Sequence, residues 1–191
     1  TGRSTDDAWL FDIKSPMAAG TVILSDDDIL PSVDLSYLKI EADSEPHTNV
    51  DGNTESSSVF SDIEFSDIPE LSIAIEDVSI NNTDYGRWAF DLKPSDTRVE
   101  INNIVGLIHG LQVGFKKEPA NMLWTRRKTR NRTTFSGKLR SKDISDVLLG
   151  FELSAEQEKI LTSTSANFET KVRWQGAPDE FALTLLRGKV D

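Results

Sequence analysis

The chain has 191 residues, a hydrophobic content of 37% and a formal net charge of -11, which suits one cored domain or one slice of a longer repetitive protein, while the acidic balance argues against a nucleic-acid binder. It has no cysteine, which excludes disulfides and thiolate chemistry. No apolar run approaches the roughly 18 residues of a membrane span, and the start, TGRSTDDAWLF, is no signal peptide and lacks an initiator Met, so an excised fragment is expected.

Trp9, Phe11 and Ile13 recur at period two and predict a strand with the three on one face, which Ser15-Pro16 ends. Ala18 to Leu24 is a second strand, with Gly20 marking a bulge or a close backbone approach. A third begins at Val33, Leu35, Tyr37 and Leu38 and runs to Ile40, its parity slipping near the end. From Glu41 to Glu70 there are nine acids and no Lys or Arg. Most of this stretch, 41–68, is expected to be a long mobile loop, with Val59-Phe60 and Ile63 to Phe65 the places where it docks.

Leu71, Ile73 and Ile75, then Trp88, Phe90 and Leu92, then Val105 through Phe115 hold a period of two, so each set lies on one face of a strand. Asn81-Asn82-Thr83-Asp84, Pro94-Ser95-Asp96 and Asn102-Asn103 separate them as predicted turns. Asn121 to Arg127 and Thr133 to Leu139 follow as strands. Ile144, Val147 and Leu148 then switch to helical spacing, with Ser141 as N-cap and Gly150 as stop, which predicts one short helix over 142–149. Asn167 to Trp174 and a strand from Phe181 onward complete the series. The fold class is therefore mainly all-β: an antiparallel meander, with 1–40 its first strands, 41–68 the acidic loop and 69–191 the main sheet. One short helix cannot roof such a sheet, so the sheet must curl on itself or leave apolar surface open.

Enzyme signatures are missing: no G-x-S-x-G, P-loop, dinucleotide fingerprint or H-E-x-x-H occurs. No catalytic residue, metal ligand set or cofactor is assigned. Asp26-Asp27-Asp28 and Asn49 to Asn53 resemble calcium loops but do not complete the EF-hand pattern. The two histidines, His47 and His109, are too few for zinc, and His109 is expected to be partly buried. Ten bases against one acid between Lys116 and Lys142 form a local positive run. A nucleic-acid platform would interleave aromatics with those bases, and only Trp124 and Phe135 stand near.

An ordered series of tryptophans, glycines and turns carries a likeness. It comprises Trp9 with Ser15-Pro16-x-x-Ala19-Gly20, Gly86-Arg87-Trp88-x-Phe90, Trp124 closing a strand, and Thr134-Phe135-x-Gly137-x-Leu139. Then come Asp143-Ile144-x-x-Val147-Leu148, Arg173-Trp174-x-Gly176-x-Pro178-x-x-Phe181-x-Leu183 and Leu186-x-Gly188-x-Val190. Over most of 8–40 and 69–191 this order resembles the YhdP-type branch of the AsmA-like proteins of Gram-negative bacteria. The resemblance implies a long periplasmic protein, anchored in the inner membrane by an N-terminal helix, whose strands fold into a taco-like apolar groove conducting phospholipid to the outer membrane. The anchor is missing from this sequence, and the acidic 41–68 stretch is longer than the pattern expects.

On that reading Trp88, Phe90, Leu107, Leu111, Val113, Phe135, Leu139, Phe168, Val172 and Trp174 are the groove candidates, against ordinary core of a closed sandwich. Arg126, Lys128, Arg130 and Arg132 are candidates for contact with lipid headgroups or other envelope proteins, against a solvated hairpin whose charges discourage edge pairing. A closed structural or protein-binding β-domain is the alternative function, and a hydrolase with two converging carboxylates a third.

Overall fold

The structure is a computed structural model that describes residues 2–5, 8–25, 29–41, 63–127, 130–143, 165–180 and 187–190. Among them the strands are β1 (Gly2–Thr5), β2 (Ala8–Lys14), β3 (Ala18–Ser25), β4 (Ser32–Ile40), β5 (Leu71–Ile80), β6 (Thr83–Ser95), β7 (Arg98–Ile108), β8 (Leu111–Val113), β9 (Ala120–Arg127), β10 (Arg130–Ser141), β11 (Ala166–Gln175) and β12 (Arg187–Val190). All belong to one sheet and follow chain order across it, with β8 and β9 sharing the lane between β7 and β10. The expected helix over 142–149 lies outside the described residues apart from its first positions. There Lys142 is a bend, and the Asp143 N–H donates to Ser141 Oγ at 3.2 Å. The described helical pieces are two 3₁₀ turns, Phe65–Asp67 and Pro178–Glu180.

The pairing departs from a pure antiparallel meander at one place. β4 and β5 run parallel, Val33 opposite Ile73 and Leu35 opposite Ile75. Residues 41–70 lie between them, and a parallel neighbour requires such a crossover because the chain must travel back the length of a strand. All other pairs are antiparallel.

Bulges bend the sheet along an oblique line. Register shifts occur at Ala19/Gly20 against β4, at Ile75/Val78 against β6, at Ala89/Asp91 against β7 and at Ile101/Ile104 against β9. Each extra residue bends its strand and deepens the local twist, so the row of bulges curves the sheet as a whole. Gly20 sits on this line, where a Cβ would meet the Asp34 carbonyl.

Two sequence expectations are corrected here. Asn102-Asn103 is no turn: β7 runs straight through it, Asn103 takes a left-handed φ of 55°, and its amide donates to Asp91 Oδ2 at 2.6 Å. Asparagine tolerates that conformation, so one extra residue is absorbed as a bulge. Conversely, Val105 to Phe115 is not one strand. His109 and Gly110, at φ 45° and 79°, make a tight turn between β7 and β8. Asn81 and Asn82, at φ 49° and 63°, form the predicted hairpin turn between β5 and β6, as two left-handed residues must.

Candidate functional site: one apolar face of the sheet

Residues directly opposite in neighbouring strands point to the same side, so the registers define the two faces from end to end. One face carries Trp9, Phe11 and Ile13 of β2, Val22 and Leu24 of β3, and Val33, Leu35 and Leu38 of β4. It continues through Leu71, Ile73 and Ile75 of β5, Trp88, Phe90 and Leu92 of β6, and Val99, Ile101, Ile104 and Ile108 of β7. Leu111, Val113, Met122 and Trp124 follow in the shared lane, then Phe135 and Leu139 of β10, then Phe168, Val172 and Trp174 of β11. The opposite face carries Asp34, Arg87, Asp91, Glu100, Arg132, Lys171 and Arg173. Bulges on neighbouring strands compensate one another, so the apolar side stays continuous although individual strands slip parity.

Nine of the ten groove candidates stand on this face: Trp88, Phe90, Leu111, Val113, Phe135, Leu139, Phe168, Val172 and Trp174. Leu107 does not. It pairs with Arg87 and Gln112 and is exposed on the polar side, while its neighbour Ile108 faces inward. The cause is the His109-Gly110 turn: the single parity read from Val105 to Phe115 breaks there, leaving Leu107 out of phase with Leu111.

Exposure varies across the face. Near its middle, Ile104, Ile108, Val113 and Ala120 are buried in a cluster flanked by Trp88, Phe90, Leu111, Met122, Phe135 and Leu139. Trp88 lies across Gly106, where a Cβ would come within 2.5 Å of the indole, and its Nε1–H donates to the Tyr85 carbonyl at 2.6 Å. One corner is capped. Phe65, 2% exposed, stands edge-on to Trp124 with centroids 4.5 Å apart, and Val99 and Ala177 complete that cluster. The Trp174 Nε1–H donates to the Ala177 carbonyl and the Thr133 hydroxyl to the Gly176 carbonyl, both at 2.8 Å. At the far side, by contrast, Trp9, Phe11 and Leu24 are 47%, 38% and 41% exposed, and the Trp9 and Phe11 rings stack at 6.4 Å. Among the described residues, neither core cluster includes a side chain of β2, β3 or β4.

The four basic candidates separate. Lys128 lies outside the described residues, and Arg130 is described only as the first residue of β10. Arg132 is exposed on the polar face, opposite Thr125 and Gln175. Arg126 shares the parity of Trp124 and is drawn onto the capped corner, with its guanidinium 4.7 Å from the Phe65 centroid and 5.7 Å from that of Trp124. Sequence reading missed this role of Arg126, although the Trp124-x-Arg126 spacing was its signal: period two puts both side chains on one face. His109 is half-buried, and His47 and both calcium-like loops lie outside the described residues. Among the described residues, no group of three or more His, Cys, Asp and Glu is placed to hold a metal ion, and no helix is long and apolar enough to cross a membrane.

No curated protein and no solved structure matches the chain. The family model described as YhdP protein matches residues 1–191, the whole of this chain. The single curved sheet and that end-to-end match agree: the chain belongs to the YhdP family of AsmA-like proteins.

Proposed function

We propose that this chain is a segment of a periplasmic, bridge-like protein that carries phospholipid between the inner and outer membranes and so supports the outer-membrane barrier. Acyl chains lie on the apolar face, shielded from water by the curvature of the sheet, which there acts as an open groove. The full-length protein is anchored in the inner membrane and meets other envelope proteins. The role is one of transport, without catalysis, and family membership supports it.

The observation that carries the reading is an apolar face continuous over nine strand lanes yet left open at Trp9, Phe11 and Leu24. Large apolar side chains gathered on one exposed patch mark an interaction surface. Each methylene taken from water contributes about 0.8 kcal/mol, so sheltering half of one acyl chain gains on the order of 6 kcal/mol before ordering costs. Such a surface needs no nucleophile and no metal.

Native mass spectrometry of the chain purified from a Gram-negative host tests this. Phospholipid or fatty acid should be carried through purification. Trp9→Asp together with Leu24→Asp should abolish that cargo while leaving the far-ultraviolet circular dichroism unchanged, because both residues are already about half in water. A chain that is consistently lipid-free and gives no signal with an apolar dye would instead be the closed-core binding domain.

A further inference from the structure

Glu64 and Phe65 occupy a corner of the apolar face beside a fixed cation. The Phe65 ring fills a slot between Trp124, Val99 and Ala177. Arg126 lies over both rings, and its guanidinium is 3.8 Å from the Glu64 carboxylate. The cation is held from behind: its Nε–H donates to Asn131 Oδ1 at 3.2 Å, and the Arg126 backbone N–H donates to the Thr97 carbonyl at 3.0 Å. A guanidinium of fixed position calls for a phosphate or carboxylate. An apolar slot lined by an indole calls for hydrocarbon. A molecule with both parts joined is an anionic amphiphile, and Glu64-Phe65 has that composition in miniature.

The turn holds this place lightly. It is a single 3₁₀ turn, Phe65–Asp67, with no side-chain hydrogen bond at its N-cap, and the Glu64 side chain is 74% exposed. Burying one phenyl ring is equivalent to burying about two to four methylenes. An alkyl chain of a dozen carbons therefore outcompetes it in the slot, while a phosphate outcompetes the long, solvated Glu64 carboxylate contact at Arg126.

We infer that Val99, Trp124, Arg126 and Ala177 form a binding site for an anionic amphiphile, and that the Glu64-Phe65 turn is its internal occupant, displaced when ligand enters. The inference rests on the proposed lipid role and adds to it the headgroup contact and the element that yields.

The test is binding of dodecyl phosphate to the full 191-residue chain by calorimetry, with dodecyl maltoside as the neutral probe and inorganic phosphate as the chainless one. Phe65→Ser should tighten dodecyl phosphate binding on the order of tenfold by removing the competitor. Arg126→Gln should lower the preference for dodecyl phosphate over dodecyl maltoside by a similar, roughly tenfold, factor. If Phe65→Ser does not fold, Glu64→Gln decides, since its side chain stands mostly in water: it should also tighten dodecyl phosphate, and an unchanged affinity overturns the inference. A folded Phe65→Ser of unchanged affinity overturns it, as does an Arg126→Gln chain that keeps its preference or inorganic phosphate that competes as well as dodecyl phosphate. If both dodecyl probes bind the wild-type chain and no variant alters them, this site falls and the lipid reading stands. If no dodecyl probe binds at all, both fall.

Discussion

Single residues show how the capped corner is held. Thr133 is fully buried, and its hydroxyl donates to the Gly176 carbonyl, just past the end of β11. Thr133→Val keeps the shape and removes the donor, leaving that carbonyl without it. We expect a loss of about 1–2 kcal/mol, read from the midpoint of urea unfolding at unchanged m. Lys138 offers a pH-dependent counterpart. Its Nζ lies 2.6 Å from Glu118 Oε1, and the hydrogen bond to Glu118, followed by the charge of that carboxylate, raises its pKa above 10.5. A folded-state pKa raised above the unfolded one stabilises fully below the unfolded value, and the effect is lost as pH rises through the folded value. The window is therefore alkaline, above 10.5. Because the pair is exposed, its weight is small. In Glu118→Gln the Lys138 titration, followed by NMR at Cε, should move down toward its ordinary value.

At the scale of elements, turns decide which side chains face inward. The two left-handed residues at Asn81-Asn82 make a hairpin, and so do His109-Gly110, whereas one left-handed residue at Asn103 makes only a bulge. Nothing in the alternation of Val105 to Phe115 distinguishes these outcomes, because histidine is a poor turn marker and the apolar pattern resumes at once on the far side. The consequence is testable at adjacent positions. Leu107→Lys should change stability by no more than about 0.5 kcal/mol, since the residue already stands among polar side chains. Ile108→Lys, 5% exposed beside Ile104 and Val113, should prevent folding or cost more than about 3 kcal/mol. Circular dichroism with urea titration separates the two, and equal effects would contradict the turn at His109.

For the whole molecule, the telling property is that all twelve described strands belong to one sheet. A sheet this wide with polar residues on one side and apolar residues on the other must find cover for the second. Among the described residues, curvature from the bulges and the two 3₁₀ caps supplies it in the middle and at one corner, and Trp9, Phe11 and Leu24 of β2 and β3 stay exposed. Protection in hydrogen exchange should follow this gradient. Amides of β6, β7 and β10, paired on both sides and backed by the buried clusters, should be slowest, and those of β1 and β12, paired on one side only, fastest. Uniform protection would mean that the sheet closes on itself.

Local alternation was enough to define most strands and which residues of each share a face. Period-two runs such as Trp9-Phe11-Ile13 and Trp88-Phe90-Leu92 need no partner to declare which residues travel together, because the pleat is a local property of the backbone. The sequence also carried the series of tryptophans and glycines by which the family is recognised. Tertiary structure alone decided the parallel β4–β5 pair, the side on which Leu107 falls, and the seating of Phe65 and Arg126 against Trp124. Those depend on which strand lies beside which and on one-residue shifts in register. A single slip turns a strand's whole set of side chains to the other face, and no local alternation records where the slip occurs.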